Sequence, residues 1–185
     1  MSTTTAPTTL TGSYDLDPSH SRIGFVARHA MVTKVRGSFD EFEGSGELDA
    51  VNPANSSLQL TIKSASIDTR NADRDGHLKG NDFFDMEKYP EITFQSTKVE
   101  PVDATHFDVT GDLTIKGTTK PITVRLEFTG AAVDPFGNHR IGLEGSTEIN
   151  RKDWGVNWNA VLEAGGMLVS EKVTLEFEVS AIKEA

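Results

Sequence analysis

The stretches PITVRLEFTG at 121–130 and KVTLEFEVSAI at 172–182 decide the fold class of this chain. In each stretch apolar residues occupy every second position, as Leu126 and Phe128 do in the first. A period of two is typical of a β-strand with one buried face and one solvated face. Both stretches are therefore predicted to be strands of a sheet that covers a core.

The same alternation, clear in places and less regular in others, predicts strands along most of the remaining chain. They lie at 14–17, 21–29, 35–43, 58–62, 92–95, 107–115 and 137–147. Turn-forming pairs such as Lys116-Gly117 separate them, and Gly44-Ser45-Gly46 predicts a further hairpin bend or bulge. The short spacing of these strands indicates antiparallel pairing in one all-β domain.

One stretch breaks the alternation. Between Asp68 and Lys88 the period of two stops, and a cap at Asp68 or Asn71 predicts one short helical segment near residues 70–88. A one-faced sheet with a single short helix to cover it must pack on a second sheet or close on itself. Roughly 170 ordered residues exceed the about 100 of a compact sandwich, so a barrel with room for a ligand is favoured and a sandwich is the alternative.

Composition excludes several classes of protein. The 185 residues carry a formal net charge of −10 and contain no cysteine. The charge repels phosphate backbones and anionic membranes, so neither nucleic acid nor stable membrane insertion is expected. Thiolate metal sites and disulfides are excluded. Residues 1–12 are predicted to be a disordered lead-in without the features of a signal peptide, residues 13–185 to be one domain, and the protein to be cytoplasmic.

Residue types for catalysis or metal binding occur, but not in usable patterns. Asp17, Ser19 and His20 are the types of a nucleophilic triad, yet neighbours in an extended strand cannot converge on one another. The segment 71–82 resembles a calcium loop, but it has Asn71 at the first position and a strand before it instead of a helix. We therefore predict no metal, no cofactor and no catalytic site.

The segment 66–94 combines charged and aromatic residues most densely. Arg74, Asp75 and His77 form a polar trio, and Phe83 and Phe84 follow closely. In one interpretation this is a helix capped by charge, with the two phenylalanines plugging one end of the barrel. In the other, the charged trio orients a ligand head group at the barrel mouth while the phenylalanines line the entrance.

Several motifs together resemble the YceI-like family of bacterial lipocalin-like barrels, which are regarded as polyisoprenoid-binding. The matching stretches are DPSHSRIGFVARH at 17–29, KVRGSF at 34–39, ASIDTRNADRDGHLKGNDFFDMEKYPEITF at 65–94, GDLTIKGTTKPITV at 111–124 and INRKDWGVNWN at 149–159. The resemblance implies an extended antiparallel eight-stranded barrel whose apolar lumen holds a long isoprenoid or similar lipid. It implies no established catalytic machinery. Many relatives carry a secretion signal, whereas none is predicted for this chain.

The leading hypothesis is therefore binding, storage or transport of a long-chain apolar lipid of the isoprenoid or isoprenoid quinone class. Lumen positions are assigned to Phe25, Phe39, Leu60, Ile62, Phe94, Leu113, Leu126, Phe128, Trp158, Leu175 and Phe177. Mouth and head-group positions are assigned to His29, Arg74, Asp75, His77, Phe83 and Phe84. Two alternatives stay open: a lipid-modifying enzyme that uses His77 or His29 with Asp75, and an interaction scaffold whose lumen is filled by side chains. A homodimer is compatible with all three.

Overall fold

The computed structural model describes residues 10–30, 32–80, 83–157 and 170–184. Within these ranges the chain forms strands β1 (Gly12–Leu16), β2 (Arg22–His29), β3 (Thr33–Phe39), β4 (Phe42–Leu48), β5 (Ser57–Lys63), β6 (Ile67–Asp68), β7 (Glu91–Pro101), β8 (His106–Ile115), β9 (Thr118–Val133), β10 (His139–Asn150) and β11 (Lys172–Lys183). The helix α1 spans Ala72–Lys79, and short 3₁₀ turns lie at Pro18–His20, Pro53–Asn55, Ser64–Ser66 and Arg151–Trp154.

The strands close into an antiparallel barrel of eight. Its ring runs β1-β4-β5-β7-β8-β9-β10-β11, and β11 pairs back onto β1. Strand β2 pairs with the same edge of β11 as β1 does, since Leu16 lies opposite Ala181 and Arg22 opposite Glu178. Thus β1 and β2 are two halves of one long strand. The same holds for β3 with β4 and for β5 with β6. Strands β1 and β2 pair antiparallel with β4 and β3, and these in turn pair antiparallel with β5 and β6. The barrel prediction is confirmed.

The break between β1 and β2 corrects one expectation. Pro18 fixes a 3₁₀ turn in which the Asp17 side chain accepts from the Ser19 amide. The turn brings Ser19 Oγ to 2.7 Å from Asp17 Oδ1 and His20 Nδ1 to 2.8 Å from Asp17 Oδ2, so the three residues do converge. They are nevertheless no triad, because Ser19 Oγ also contacts His20 through Nδ1, at 3.0 Å, while a triad uses opposite ring nitrogens.

The break between β3 and β4 places two phenylalanines on the same side. Phe39 ends β3 and Phe42 begins β4, and both are buried in one apolar cluster in spite of their odd spacing. The predicted bend at residues 44–46 is wrong, because these residues lie inside β4 and pair with both β1 and β5. A side chain at Gly46 would meet the Ser57 carbonyl oxygen at 2.7 Å, so this glycine allows the neighbouring strand to approach closely.

The predicted helical segment is shorter than 70–88. Helix α1 begins after Asn71, whose side chain accepts from the Arg74 amide, and it ends before Gly80. Beyond the helix the chain continues in turns held by bonds such as Met86 N to the Lys79 carbonyl, at 2.9 Å. At the other boundary, β1 includes Gly12, the last residue of the predicted lead-in.

The two ends of the barrel carry different connections. One end, here the helix end, carries α1, the β8–β9 turn at 116–117 and the 3₁₀ turn before Gly155. The opposite end, here the turn end, carries the β4–β5 loop at 49–56, the β7–β8 turn at 102–105 and the β9–β10 turn at 134–138. This polarity decides where a ligand could enter.

An ion-pair clamp joins the β1–β2 break to the β9–β10 turn. Arg140 contacts Asp17 at 2.8 Å and Asp134 at 2.7 Å, and it holds the pKa of both carboxyls well below the usual range. Because these two pKa values are depressed, ionised Asp17 and Asp134 stabilise the fold at any pH above about 3.9, the pKa of an aspartate in the unfolded chain. This stabilisation is lost as the pH falls through the pKa values of the folded state.

Arg140→Gln is therefore expected to lower the melting temperature at pH 7, with a gap to the wild type that narrows as the pH falls from about 4 to about 2. Thermal unfolding followed by circular dichroism across this range measures the gap. Arg125→Gln is the matched control, since its pair with Asp108 is more exposed and is expected to contribute less. If the difference in melting temperature between Arg140→Gln and the wild type stays constant down to about pH 2, the two ion pairs of Arg140 are not its cause.

Candidate functional site

A cavity of about 470 Å³ occupies the interior of the barrel. This volume falls in the roughly 300–1,000 Å³ range of small-molecule sites. The lumen is therefore not filled by its own side chains. All predicted lumen residues that the structure describes line this cavity: Phe25, Phe39, Leu60, Ile62, Phe94, Leu113, Leu126, Phe128, Leu175 and Phe177. Trp158 lies outside the described residues.

Glycines in the inward register keep the lumen open. A side chain at Gly37 would begin 2.3 Å from the ring of Phe25, and one at Gly111 would begin 2.4 Å from the ring of Phe94. Each ring therefore lies over a glycine of the adjacent strand, along the wall instead of across the lumen. A glycine inside a strand marks such close approaches. This signal was readable in the sequence and was missed.

The helix end is packed by aromatic and aliphatic side chains. Phe83 and Val156 line the cavity there and are buried, and the ring of Phe84 meets Phe39 edge-on at 6.1 Å between centroids. Trp154 is 3% exposed. It ends the 3₁₀ turn at Arg151–Trp154, and its Nε1 donates to the Leu113 carbonyl at 2.8 Å. The plug interpretation of the phenylalanines fits this packing.

The charged trio lies on helix α1, where His77 contacts Phe83. Arg74 donates to the Thr69 side-chain oxygen and carbonyl, both at 2.7 Å, and the Asp75 carboxylate accepts from the Thr69 amide at 2.9 Å. His77 is exposed and packs against the edge of Phe83. None of the three is among the described lining residues. Arg74 and Asp75 thus brace the segment that carries Phe83 and Phe84 against Thr69 of the preceding loop, and a head-group role for the trio stays a prediction. For His29 the structure describes only the strand backbone.

Asp75→Ala is expected to destabilise the fold by about 1–3 kcal/mol, because it leaves the buried Thr69 without its acceptor. Chemical denaturation measures this change. Hydrogen exchange should become faster only in helix α1 and in the turns that follow it. Asp73→Ala, on the same helix but exposed, is the matched control with little expected effect. Equal unfolding free energies for both variants would contradict the brace.

A buried cation at the helix end was not predicted. Arg151 is 6% exposed and lines the cavity, where its Nε donates to the Ser170 carbonyl at 2.8 Å and NH1 donates to the Val156 carbonyl at 2.6 Å. Burial lowers the pKa of the Arg151 guanidinium. These bonds tie the 3₁₀ turn to the start of the last strand. Nothing in the local pattern of a polar turn distinguishes this arginine from a surface one.

The cavity reaches solvent at the turn end. Its lining there includes the exposed Ala104 and the half-buried Leu10, Ala50 and Pro53. Among the described residues, this exposed part of the lining lies at the end of the barrel opposite to residues 74–84, where the sequence predicts a mouth. In the described parts of the chain, no helix has the length and the apolar character that a membrane span requires.

The chain is similar to known proteins over most of its length. It is 42% identical to a UPF0312 protein of Photorhabdus laumondii over 151 residues, covering 80% of this chain and 78% of the relative. It is 35% identical to a UPF0312 protein of Pseudomonas aeruginosa over 182 residues, covering 97% of this chain and 92% of the relative.

Solved structures show the same fold. Burkholderia cenocepacia BcnA matches with a TM-score of 0.79 at 26% identity, covering 89% of this chain and 98% of BcnA. A polyisoprenoid binding domain from Saccharophagus degradans matches with a TM-score of 0.69 at 19% identity, covering 92% and 98%. A family model described as the YceI-like domain matches residues 14–181. The chain therefore belongs to the YceI-like family.

Proposed function

We propose that this protein binds a long apolar chain of the isoprenoid or isoprenoid quinone class in its barrel cavity, for storage or transport. The observation that carries the proposal is the cavity itself, an unfilled space of about 470 Å³ inside a wall of inward-facing apolar side chains. The Saccharophagus domain is related to this chain by fold alone, so the lining and the family membership are the support.

Burial of hydrocarbon supplies enough free energy for such binding. Each buried methylene contributes about 0.8 kcal/mol, so about fifteen carbons contribute about 12 kcal/mol before the association and ordering costs. No polar recognition is needed to reach micromolar affinity, which corresponds to about 8 kcal/mol. An apolar tube is therefore a sufficient binding site for a lipid tail.

The lining supports binding over lipid-modifying catalysis. Its charged residues, within the described chain, are Glu47 and Arg151. Ser13 donates to the Glu47 carboxylate at 2.6 Å, and Arg151 is held by backbone carbonyls. Among the histidines whose side chains are described, none lines the cavity. A general acid–base pair within reach of a lipid in the lumen would need such groups free to exchange protons.

The test is organic extraction of the purified protein followed by mass spectrometry, then rebinding of the recovered lipid by delipidated protein in solution. We expect an isoprenoid-class lipid in about equimolar amount. Leu143→Trp narrows the lumen and should reduce rebinding, whereas Glu144→Trp, on the exposed face of the same strand, should not. An empty extract without rebinding would favour a scaffold, and chemical conversion of the lipid would favour an enzyme.

A further inference from the structure

Exposed apolar side chains gather at the turn end. Among the described residues, the large hydrophobic side chains that are most exposed include Val51 at 68%, Val133 at 60% and Phe136 at 88%, with Val102 at 45%. Val51, Val102 and Phe136 lie on the three connections of this end, and Val133 is the last residue of β9, next to one of them. The remaining one, Val32 at 76%, lies in the β2–β3 hairpin at the opposite end. A cluster of this kind at one end of a barrel marks an interaction surface.

The three connections hold these side chains outward in defined turns. Each begins at or near an aspartate whose carboxylate accepts backbone N–H groups of its own loop. Asp49 accepts from the Val51 amide at 3.0 Å, and Asp134 accepts from the Phe136 amide at 2.8 Å. Asp103, next to Val102 in sequence, accepts from the amide two residues later at 2.9 Å. The apolar tips are thus positioned before any partner arrives, which lowers the entropic cost of docking.

Negative charge limits which kinds of partner can dock at the turn end. Backbone and side-chain hydrogen bonds lower the pKa of Asp49 and of Asp134 and bring that of Asp103 to about 2. These carboxylates stay ionised at neutral pH, and the whole chain carries a net charge of −10. A chain with this net charge repels anionic membranes and a second copy of itself. It does not repel a surface without net charge.

The apolar tips are continuous with the cavity mouth. Leu10, Ala50, Pro53 and Ala104 line the cavity beside the loops that carry the exposed side chains. Ala50 directly precedes Val51, so an exposed loop tip is adjacent in sequence to a residue of the cavity lining. A hydrocarbon chain leaving a bilayer at these tips could enter the lumen without crossing water.

We propose that the turn end docks reversibly on a zwitterionic phospholipid bilayer, with Phe136 and the valine tips in the head-group region and the cavity mouth facing the membrane. The inference rests on the proposed function for the identity of the cargo, since a lipid carrier must meet the membrane that holds its ligand. The docking itself is carried by the exposed tips, their braced turns and their continuity with the mouth.

Because the chain lacks cysteine, a single label can report the docked orientation. Phe136→Cys and Val32→Cys are labelled with an environment-sensitive fluorophore and mixed with phosphatidylcholine vesicles. We expect a blue shift and quenching by brominated lipid for the label at position 136, and neither for the label at position 32. Equal responses at both positions, or no response at position 136, would overturn the proposal.

Flotation with unlabelled protein supplies the affinity test. Phe136→Ser combined with Val51→Ser should weaken binding to phosphatidylcholine vesicles by about tenfold or more, whereas Val32→Ser should leave it unchanged. Added phosphatidylglycerol should weaken binding of the wild type. Unchanged flotation of the double variant would overturn docking on lipid. A dimer that forms with increasing protein concentration and buries the label at position 136 in the absence of vesicles would also overturn it.

Rebinding of lipid in solution separates this inference from the proposed function. The double variant should bind the extracted lipid as the wild type does, because neither position 51 nor position 136 lines the cavity. Loss of vesicle docking with intact lipid binding supports the inference. If the wild type docks on vesicles but binds no lipid, the proposed function is refuted and the docking surface is supported. If it binds lipid but does not dock, the docking surface is refuted and the proposed function is supported.

Discussion

Leu126→Asp is expected to abolish lipid binding and to destabilise the barrel by several kcal/mol. Leu126 lines the cavity on β9, between Phe107 of β8 and Gly145 of β10. An ionised carboxylate there has no partner and must be desolvated, a penalty that exceeds the loss of the leucine itself. Denaturant unfolding and lipid rebinding on the same preparation measure the two effects.

The pH dependence of this variant identifies the buried charge as the cause. Burial raises the pKa of a carboxyl above its unfolded value of about 3.9, so the folded variant binds more protons and its stability should recover as the pH falls towards that value. Leu126→Asn separates the lost volume from the charge and should show no such recovery. Thr129→Asp, on the exposed face of the same strand, is the matched control. A Leu126→Asp protein that folds and binds lipid normally would contradict the assignment of the inner face.

Trp154→Ala is expected to cause the largest loss of folding free energy from a single truncation, about 3–5 kcal/mol. The indole is 3% exposed and packs in the main apolar cluster at the helix end. Its removal leaves a cavity and takes away the Nε1 donor that bonds to the Leu113 carbonyl at 2.8 Å in the intact protein. Denaturant unfolding at neutral pH measures the change.

Trp154→Phe divides this effect into its two parts. The phenyl ring keeps most of the buried apolar area and lacks the N–H donor, so a loss of about 1–2 kcal/mol is expected. Trp154→Phe should still bind lipid in the cavity, because Trp154 lies at the helix end and the mouth lies at the turn end. A Trp154→Ala protein that loses less than about 1 kcal/mol would show that the turn is not part of the packed plug.

The two ends of the barrel thus have separate tasks. The helix end stabilises the fold through Trp154, Phe83 and the brace of Asp75 on Thr69. The turn end presents the mouth and the exposed apolar tips. In this division the polar groups near the lumen serve structure, and the proposed binding depends on hydrocarbon burial.

Much of the fold was predictable because local periodicity decides which side of a strand is buried. The alternation on β9 and β11 placed Leu126, Phe128, Leu175 and Phe177 on the inner face, where the structure has them. The excess of one-faced strands over helix predicted the closed barrel, and Asn71 was one of the two predicted caps of the short helix. These inferences depend on residues adjacent in sequence.

Other features were decided by contacts between residues distant in sequence. Which end of the barrel is open depends on how the loops pack over it, and no periodicity encodes that. Arg74 and Asp75 form hydrogen bonds with Thr69, which no local sequence pattern predicts. Trp154 turns inward because the carbonyl of Leu113, on another strand, accepts its N–H. The sequence by itself therefore determined the barrel and its apolar inner face, whereas tertiary structure alone decided the position of the mouth, because only the closed barrel brings those loops and partners together.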